Sequence, residues 1–258
     1  MSDFHIVIPV RLASSRLPDK ALADINGKPM VVRVLECARY SGAVSVHVAT
    51  DSEQIAEVVR AAGHQVIMTG VDHDSGTSRL AEAVVKLGLN EEAIVVNLQG
   101  DEPQMPAACL NQVAKLLASD RQAAMATLWE PIDDPTQWQD PSVVKLVVDH
   151  HGKALYFSRA PIPFQRDRDG RIGPWRRHVG LYAYRCRALR AWRELPQSAL
   201  EASERLEQLK ALEAGWRIIT APARQPIPAG VDTEADLERV RNGWDRSDMA
   251  AVKAPGNK

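Results

Sequence analysis

The sequence has 258 residues, 45% of them hydrophobic, so it is long enough for an α/β domain with a substantial core and is not a disordered chain. Its 32 basic and 33 acidic residues give a formal net charge of -1, which does not favour nucleic acid or an anionic membrane surface as a partner. Three distant cysteines without a C-x-x-C pair, no secretory signal and no apolar run of ~20 residues predict a soluble, cytoplasmic protein without membrane insertion.

The first half of the chain alternates strands with helices. Short apolar runs rich in β-branched residues predict strands over residues 4–10, 44–50, 64–69 and 92–101. Apolar residues at helical spacing predict helices over 30–42, 52–63 and 75–88. Strands separated by helices of this length predict right-handed βαβ units, and therefore an α/β fold with a mainly parallel sheet.

The second half, from about residue 124, has a different pattern. Strand-like runs cover residues 123–130, 142–149, 153–159, 177–185 and 216–223. The "HHG" turn at 150–152 is typical of a hairpin, so these runs predict an antiparallel insertion, and adjacent histidines in a hairpin make poor metal ligands. We also expect one amphipathic helix over 200–215 and a last helix that begins with a capping box of Thr233 and Asp236.

The segment "IPVRLASSRLPDK", residues 8–20, places three cations directly after the first strand and contains no glycine. It matches neither the Walker nor the dinucleotide pattern, so it is either a solvated basic turn or a loop that binds phosphates with its side chains. Asp101 follows the buried strand "IVVNLQG", and Asp51 and Asp232 also follow strands. Because the carboxyl ends of parallel strands meet at one edge, we expect the basic loop near Asp101. Cations that face a carboxylate suit a triphosphate with its divalent metal, which favours phosphoryl or nucleotidyl transfer.

A series of longer motifs resembles the 3-deoxy-D-manno-octulosonate (KDO) cytidylyltransferase family, also called CMP-KDO synthetases. These motifs, spread over residues 4–241, are "IPVRLASSRLPDKALADINGKPM", "VATD", "SGTSRLAEAV", "VVNLQGDEP", "MATL", "VVKLVVD", "ALYFSRAPIP", "RHVGLYAYR", "LEQLKALEAG" and "GVDTEADLERVR". The resemblance implies a Rossmann-like nucleotide-diphospho-sugar transferase fold and the transfer of CMP from CTP to KDO with release of pyrophosphate. It also implies Mg²⁺ as cofactor, a homodimer, and a role in lipopolysaccharide synthesis in the bacterial cytoplasm.

The same resemblance assigns roles to residues of this sequence. The residues matched to binding of the CTP phosphates are Arg11, Ser14, Arg16 and Lys20, and those matched to catalysis are Arg16, Lys20, Asp101 and Asp232. The metal ligands would be Asp101 and Asp232. The sugar-acid contacts would be Gln99, Arg159, His178, Tyr182, Glu207 and Gln208. Relatives usually carry glycine at the position of Asp19, where an acid could weaken the attraction for phosphate.

The resemblance also predicts how the chain is divided. We expect one domain over residues 1–246, with a nucleotide-binding half (1–123) and a sugar-binding and dimerisation half (124–246). The polar residues 247–258 are expected to form a flexible tail.

Each assignment has an alternative when the residues are considered alone. Asp101 or Asp232 could cap a helix, although Pro103 keeps the chain extended after Asp101 and Thr233 offers another cap. His178 and Tyr182 could belong to an ordinary face of the sheet, packed against side chains of neighbouring strands, and Glu207 could be an exposed partner of Lys210. For the whole chain, the alternatives are a cytidylyltransferase for 8-amino-KDO or a sialic acid, and a non-catalytic nucleotide-binding module, which should lack a metal carboxylate or the loop lysine.

Overall fold

The chain forms a nine-stranded mixed sheet covered by helices on both faces, as seen in residues 3–12, 16–167 and 173–244 of the computed structural model. The strands are β1 (Phe4–Val10), β2 (Asp24–Ile25), β3 (Lys28–Pro29), β4 (Ser45–Thr50), β5 (Gln65–Met68), β6 (Ile94–Asn97), β7 (Met125–Pro131), β8 (Lys145–Val148), β9 (Ala154–Ser158), β10 (Arg176–Arg185) and β11 (Ile218–Pro222). The helices are α1 (Met30–Arg39), α2 (Glu53–Ala61), α3 (Gly76–Lys86), α4 (Ala107–Ser119), α5 (Pro135–Gln139), α6 (Cys186–Ala191), α7 (Ala199–Glu204), α8 (Gln208–Glu213) and α9 (Glu234–Gly243). The predicted tail at 247–258 lies outside the described residues.

The parallel part of the sheet is built around β1. This strand pairs in parallel with β4 on one side and β6 on the other, and β4 pairs in parallel with β5. Ile6 and Ile8 pack into one hydrophobic layer and Val7 into the other, which explains why the strand is apolar without interruption. The predicted βαβ units are confirmed, and the strand order reverses between β1 and β6, where open α/β sheets bind ligands.

The antiparallel part begins with β7, as predicted. Strand β10 runs antiparallel to both β6 and β7, and β11 completes that edge in parallel with β7. Strands β8 and β9 form the predicted hairpin, whose turn is held by Asp149 Oδ1 accepting the N–H groups of His151 and Lys153. Among the described residues, no helix is long and apolar enough to cross a membrane.

The helix ends decide two of the alternatives for the carboxylates. The capping box of Thr233 and Asp236 is present at the start of α9, so Asp232 does not cap that helix. Helix α4 begins only at Ala107, after Pro106, so Asp101 is not a helix cap either. Both carboxylates are therefore available for another role.

The prediction of one helix over 200–215 is wrong. The helix is broken at Arg205, which has φ 54° and ψ 48°, and α8 begins only at Gln208. The cause is tertiary: the Glu204 carboxylate accepts hydrogen bonds from Ser158 Oγ and the Arg159 N–H, and the Glu204 carbonyl accepts one from Arg159 Nε. These bonds tie the end of α7 to β9 and place Glu207 immediately before α8.

Glycine and alanine at position 205 should show which description of this helix is correct. We expect Arg205→Gly to be more stable than Arg205→Ala by ~1 kcal/mol, because alanine retains the cost of the left-handed conformation. In a continuous helix the order would be reversed, since glycine is the poorer helix former by a similar amount. Urea unfolding of the two variants measures the difference, and a more stable alanine variant would contradict the break.

Candidate active site

The basic loop meets two carboxylates at the reversal point of the sheet. Lys20 Nζ lies 2.6 Å from Asp101 Oδ2 and 3.1 Å from Asp232 Oδ1. Arg16 Nη2 lies 3.1 Å from the same oxygen of Asp232. Burial acts to lower the pKa of Lys20, but the two carboxylates outweigh it and raise this pKa, so the ammonium stays charged. The predicted approach of the loop to Asp101 is confirmed, and Ser14 lies outside the described residues.

These groups surround a cavity of about 360 Å³. Arg11, Gln99 and Glu207 also line it, so seven residues predicted for the site, from both halves of the chain, are brought together. Gly100 lies so close to β1 that an added Cβ would be 2.8 Å from a methyl group of Val10. The absence of a side chain at this position allows the segment with Asp101 to pack against the strand that carries the basic loop.

Arg79 also lines the cavity, although the sequence did not predict it as a site residue. Arg79 is buried, with 3% of its surface exposed. Its Nη2 lies 2.8 Å from Asp51 Oδ2, and its Nη1 donates a hydrogen bond to the Thr69 hydroxyl. On α3 this arginine has the spacing of an ordinary polar helix residue. The only signal in the sequence was the position of Asp51 after β4, which by itself suggested no partner.

His73 forms another part of the cavity wall. Its Nε2 lies 2.6 Å from Glu82 Oε2, which also accepts the Gly70 N–H at 3.0 Å. Burial raises the pKa of Glu82, but hydrogen bonds from Lys86, Gly70 and His73 lower it to about 2. This ionised carboxylate holds the segment that leads into α3.

Asp19 lies beside the cavity but is exposed and is not among the residues that line it. Its backbone is left-handed, with φ 51° and ψ 30°. This conformation explains why glycine suits the position and why aspartate, which tolerates it better than most residues, can replace glycine.

Glu207 does not behave as a surface residue. Its Oε2 accepts a hydrogen bond from Thr77 Oγ1 at 2.7 Å, whereas Lys210, its suggested partner, has its ammonium 5.6 Å from the ring centre of Trp192. Burial raises the pKa of Glu207, and the Thr77 hydrogen bond opposes that shift. The carboxylate is thus directed to α3, toward the other half of the chain.

His178 and Tyr182 both lie on β10, with ring centres 5.4 Å apart, and their partners across the strand pair are Trp129 and Thr127 of β7. His178 Nε2 lies 3.1 Å from Thr127 Oγ1, and burial lowers the pKa of His178 to about 3. Burial also raises the pKa of Tyr182, with Tyr184 and Glu207 adding to the shift. Both side chains are therefore neutral hydrogen-bonding groups rather than charges.

Of the six sugar-contact candidates, only Gln99 and Glu207 line the cavity, and Arg159, His178, Tyr182 and Gln208 do not. Arg159 donates from Nε to the Glu204 carbonyl at 2.7 Å and from Nη1 to the Pro141 carbonyl at 3.0 Å. Gln208 is 4% exposed, and its Nε2 has no hydrogen-bond partner among the described residues. The described structure thus does not bring Arg159 to the cavity, and its sugar contact stays a prediction.

Residues 5–218 match a family described as cytidylyltransferase. The chain belongs to this family. It is 48% identical over 251 residues to the 3-deoxy-manno-octulosonate cytidylyltransferase of Saccharophagus degradans, across 93% of this chain and 97% of that protein. A solved structure of CMP:2-keto-3-deoxy-manno-octonic acid synthetase complexed with CTP matches with a TM-score of 0.88 and 42% identity, over 94% of this chain and 98% of that one. A cytidylyltransferase from Leptospira borgpetersenii, 15% identical, matches the fold with a TM-score of 0.64 over 98% of this chain and 91% of its own.

These similarities confirm the family resemblance and the α/β nucleotidyltransferase fold. In this cytidylyltransferase, the cavity combines cationic side chains with carboxylates, a composition that suits a nucleoside triphosphate. Within residues 3–12, 16–167 and 173–244, no group of three or more His, Cys, Asp or Glu side chains could hold a metal ion. A pair of carboxylates is nevertheless what Mg²⁺ needs, because phosphate oxygens and water complete its shell.

His178 of this cytidylyltransferase should stay neutral between about pH 5 and about pH 8. Because burial and Arg177 lower its pKa from 6.5 to about 3, its ring NMR shifts, assigned by their loss in His178→Gln, should not move over this range. The residue contributes stability that is present above its unfolded pKa of 6.5 and is lost as the pH falls toward 3. Below this unfolded pKa, the unfolding free energy should fall relative to the variant by up to ~1.4 kcal/mol per pH unit, and a titration near the ordinary histidine pKa would contradict the assignment.

Proposed function

We propose that this protein transfers CMP from CTP to KDO and releases pyrophosphate. The observation that carries the proposal is the 48% identity to a 3-deoxy-manno-octulosonate cytidylyltransferase over 93% of this chain. The structural neighbour at 42% identity, complexed with CTP, supports the nucleotide. The cavity supports the reaction class, because Lys20 and two carboxylates from separate parts of the chain meet there.

The reaction forms a bond between the anomeric oxygen of KDO and the α-phosphorus of CTP and breaks the bond to pyrophosphate. Negative charge develops on the attacking and leaving oxygens, so neighbouring cations stabilise the transition state. Lys20 and Arg16 are charged and within reach of one another, since both contact Asp232. When a triphosphate enters, these two side chains would exchange carboxylate oxygens for phosphate oxygens, and Arg11 would add a third cation.

Mg²⁺ belongs to the same proposal. Asp101 and Asp232 would hold the ion, and the contact of both with the Lys20 ammonium supports this, because a cation already lies between them. The bound ion would supply charge neutralisation and polarise phosphate oxygens. The protein's own contribution is to hold the carboxylates at that position, through the Val231 N–H, which donates to the Asp101 carbonyl at 2.9 Å.

The hydroxyls of KDO would be held by side chains that hydrogen bond without carrying positive charge. Glu207 and Gln99 line the cavity, and His178, Tyr182 and Gln208 are assigned with them from the family resemblance. The neutral state of His178 supports a contact with a sugar hydroxyl rather than with the sugar carboxylate. Arg159 remains the assigned partner of that carboxylate.

The family resemblance also leads us to propose a homodimer and a place in lipopolysaccharide precursor synthesis in the bacterial cytoplasm. Two large apolar side chains on or near the hairpin of the second half are exposed, Leu155 by 53% and Phe164 by 74%. Burial of these two side chains against a partner subunit would contribute to the dimerisation role proposed for residues 124–246.

Two alternatives concern the substrate and the activity. A related sugar acid, 8-amino-KDO or a sialic acid, would use the same phosphate loop and differ only at the sugar contacts. A non-catalytic module is disfavoured, because Lys20, Asp101 and Asp232 are all present and in contact.

Pyrophosphate release measured with each nucleoside triphosphate and each sugar acid tests the proposal. We expect release with CTP and KDO, and much slower release when UTP, ATP or GTP replaces CTP. KDO, 8-amino-KDO and N-acetylneuraminate should be compared at equal concentration with CTP. Release with UTP but not with CTP would overturn the proposal, and preference for another sugar acid would replace KDO with that compound.

Replacing either carboxylate by its amide should remove Mg²⁺-dependent turnover. We expect Asp101→Asn and Asp232→Asn each to lower kcat by about 10²–10³-fold, because an oxygen ligand and a charge that organise the phosphates are lost. Binding of Mn²⁺, followed by its electron paramagnetic resonance in the presence of CTP, should weaken in both variants.

The matched control is Asp19→Asn, since Asp19 is a carboxylate of the basic loop, next to Lys20, and does not line the cavity. We expect its turnover and Mn²⁺ binding to stay within about twofold of the wild type. Near-normal rates and near-normal Mn²⁺ binding in both Asp101→Asn and Asp232→Asn would contradict the metal assignment.

A further inference from the structure

Glu207 is held by the first turn of α3, which belongs to the other half of the chain. Its Oε2 accepts a hydrogen bond from Thr77 Oγ1 at 2.7 Å, across a sequence separation of 130 residues. Ser75, the N-cap residue of α3, is near enough to Glu207 to lower the pKa of its carboxylate. The Thr77 hydroxyl of the nucleotide-binding half therefore fixes a carboxylate that the sugar-binding half supplies.

Thr77 is itself firmly placed. It is 3% exposed and lies in a helix whose start is closed by the capping box of Ser75 and Ser78. The buried Tyr184 hydroxyl lies near Thr77 and Asn97, which both act to lower its pKa while burial raises it. A β-branched side chain that is buried in this way has few rotamers, so the direction of its hydroxyl is set by the surrounding structure.

The fold of α8 does not explain why Glu207 makes this contact. Glu207 directly precedes α8, but its side chain does not cap that helix. It lines the cavity that contains Lys20 and Asp101, and it also lines an adjoining groove of about 1010 Å³ between α7, α8 and the segment before α3. Its carboxylate thus lies at the boundary between the space for the triphosphate and a space large enough for a second substrate.

We propose that Thr77 is a positioning residue for the sugar acid. The Thr77 hydroxyl fixes the Glu207 carboxylate in the orientation that accepts hydrogen bonds from the sugar hydroxyls. The inference rests on the proposed function, from which it takes the sugar contact of Glu207. Thr77 engages Oε2, so Oε1 is the oxygen that a sugar hydroxyl would approach. A carboxylate that is fixed before the substrate arrives loses less side-chain entropy on binding. The residue that fixes it therefore affects the affinity for the sugar acid.

The charge state of Glu207 agrees with this role. Burial, with Glu201 and Asp74 close by, raises the pKa of Glu207, and the hydrogen bond from Thr77 and the nearby Ser75 lower it. The ionised carboxylate of Glu207 can accept hydrogen bonds at both oxygens, whereas in the protonated carboxyl one oxygen carries a proton and acts as a donor. The Thr77 hydroxyl therefore favours the form that accepts from sugar hydroxyls.

Two substitutions at position 77 separate positioning from general stabilisation. Valine has the shape of threonine without the hydroxyl, and serine keeps the hydroxyl without the methyl group. We expect Thr77→Val to lower kcat/KM for KDO about tenfold, mainly through a higher KM for KDO, while the Kd for CTP measured by calorimetry stays within about twofold. Thr77→Ser should stay within about threefold of the wild type in both quantities.

A double-mutant cycle with Glu207 tests whether Thr77 acts through this carboxylate. In the background of Glu207→Ala, we expect Thr77→Val to have no further effect on kcat/KM for KDO. Thermal unfolding of all variants, followed by circular dichroism, shows whether each one is folded at the assay temperature. If Thr77→Val proves unfolded there, Thr77→Ala replaces it in the cycle with the same expectation.

Three results would overturn the inference: an unchanged KM for KDO in Thr77→Val, an equal loss of affinity for CTP and KDO, or additive effects in the cycle. The wild-type enzyme separates this inference from the proposed function. If it turns over CTP and KDO while Thr77→Val behaves normally, the proposed function stands and the positioning role fails. If it does not turn over KDO at all, the proposed function itself fails.

Discussion

The contact of one ammonium with two carboxylates organises this protein. Lys20 lies in the loop after β1, Asp101 follows β6, and Asp232 precedes α9. Partly buried charges of one sign would repel one another, so neither the cationic loop nor the pair of carboxylates would be stable there alone. Their mutual neutralisation lets a highly charged cavity exist before any substrate is bound, and it supplies groups that can exchange partners when substrate arrives.

The sheet makes this contact possible. Because β1 lies between β4 and β6, the loops that follow β1 and β6 leave the same edge side by side. The close approach at Gly100 brings the second loop against the first strand. The antiparallel part then adds β10 next to β6, so that the side chains around Tyr182 and Tyr184 stand beside the nucleotide half instead of forming a separate unit. Two substrates can therefore be handled within one continuous sheet.

The sequence predicts those features that depend on neighbouring residues. The strand and helix alternation, the hairpin at 150–152 and the capping box at Thr233 all have local signals, and all are present. Helix α4 was not predicted, although Leu110, Val113 and Leu117 have helical spacing, so its signal was available. The break at Arg205 had no local signal, since residues 200–215 favour helix throughout, and it depends on Glu204 contacting β9.

The same distinction holds for the site. The loop cations and Asp101 were predictable from strand ends, because sheet geometry alone places them together. Arg79 and Thr77 were not, since their partners, Asp51 and Glu207, lie far away in sequence and a polar residue on a helix gives no sign of burial. Arg159 was assigned to the sugar site by resemblance alone. It donates hydrogen bonds to the carbonyls of Glu204 and Pro141, and no pattern in the sequence indicates these contacts.

The sequence separation of 212 residues between Lys20 and Asp232 has a consequence for biosynthesis. A ribosome that adds about 5–20 residues per second would deliver the second carboxylate roughly 10–40 s after the lysine. During that interval the nascent chain can already form its parallel strands, with Lys20 and Asp101 in contact. The cavity therefore receives its second carboxylate only after both halves of the sheet have been translated, so a chain that stops before Asp232 carries only part of this charge arrangement.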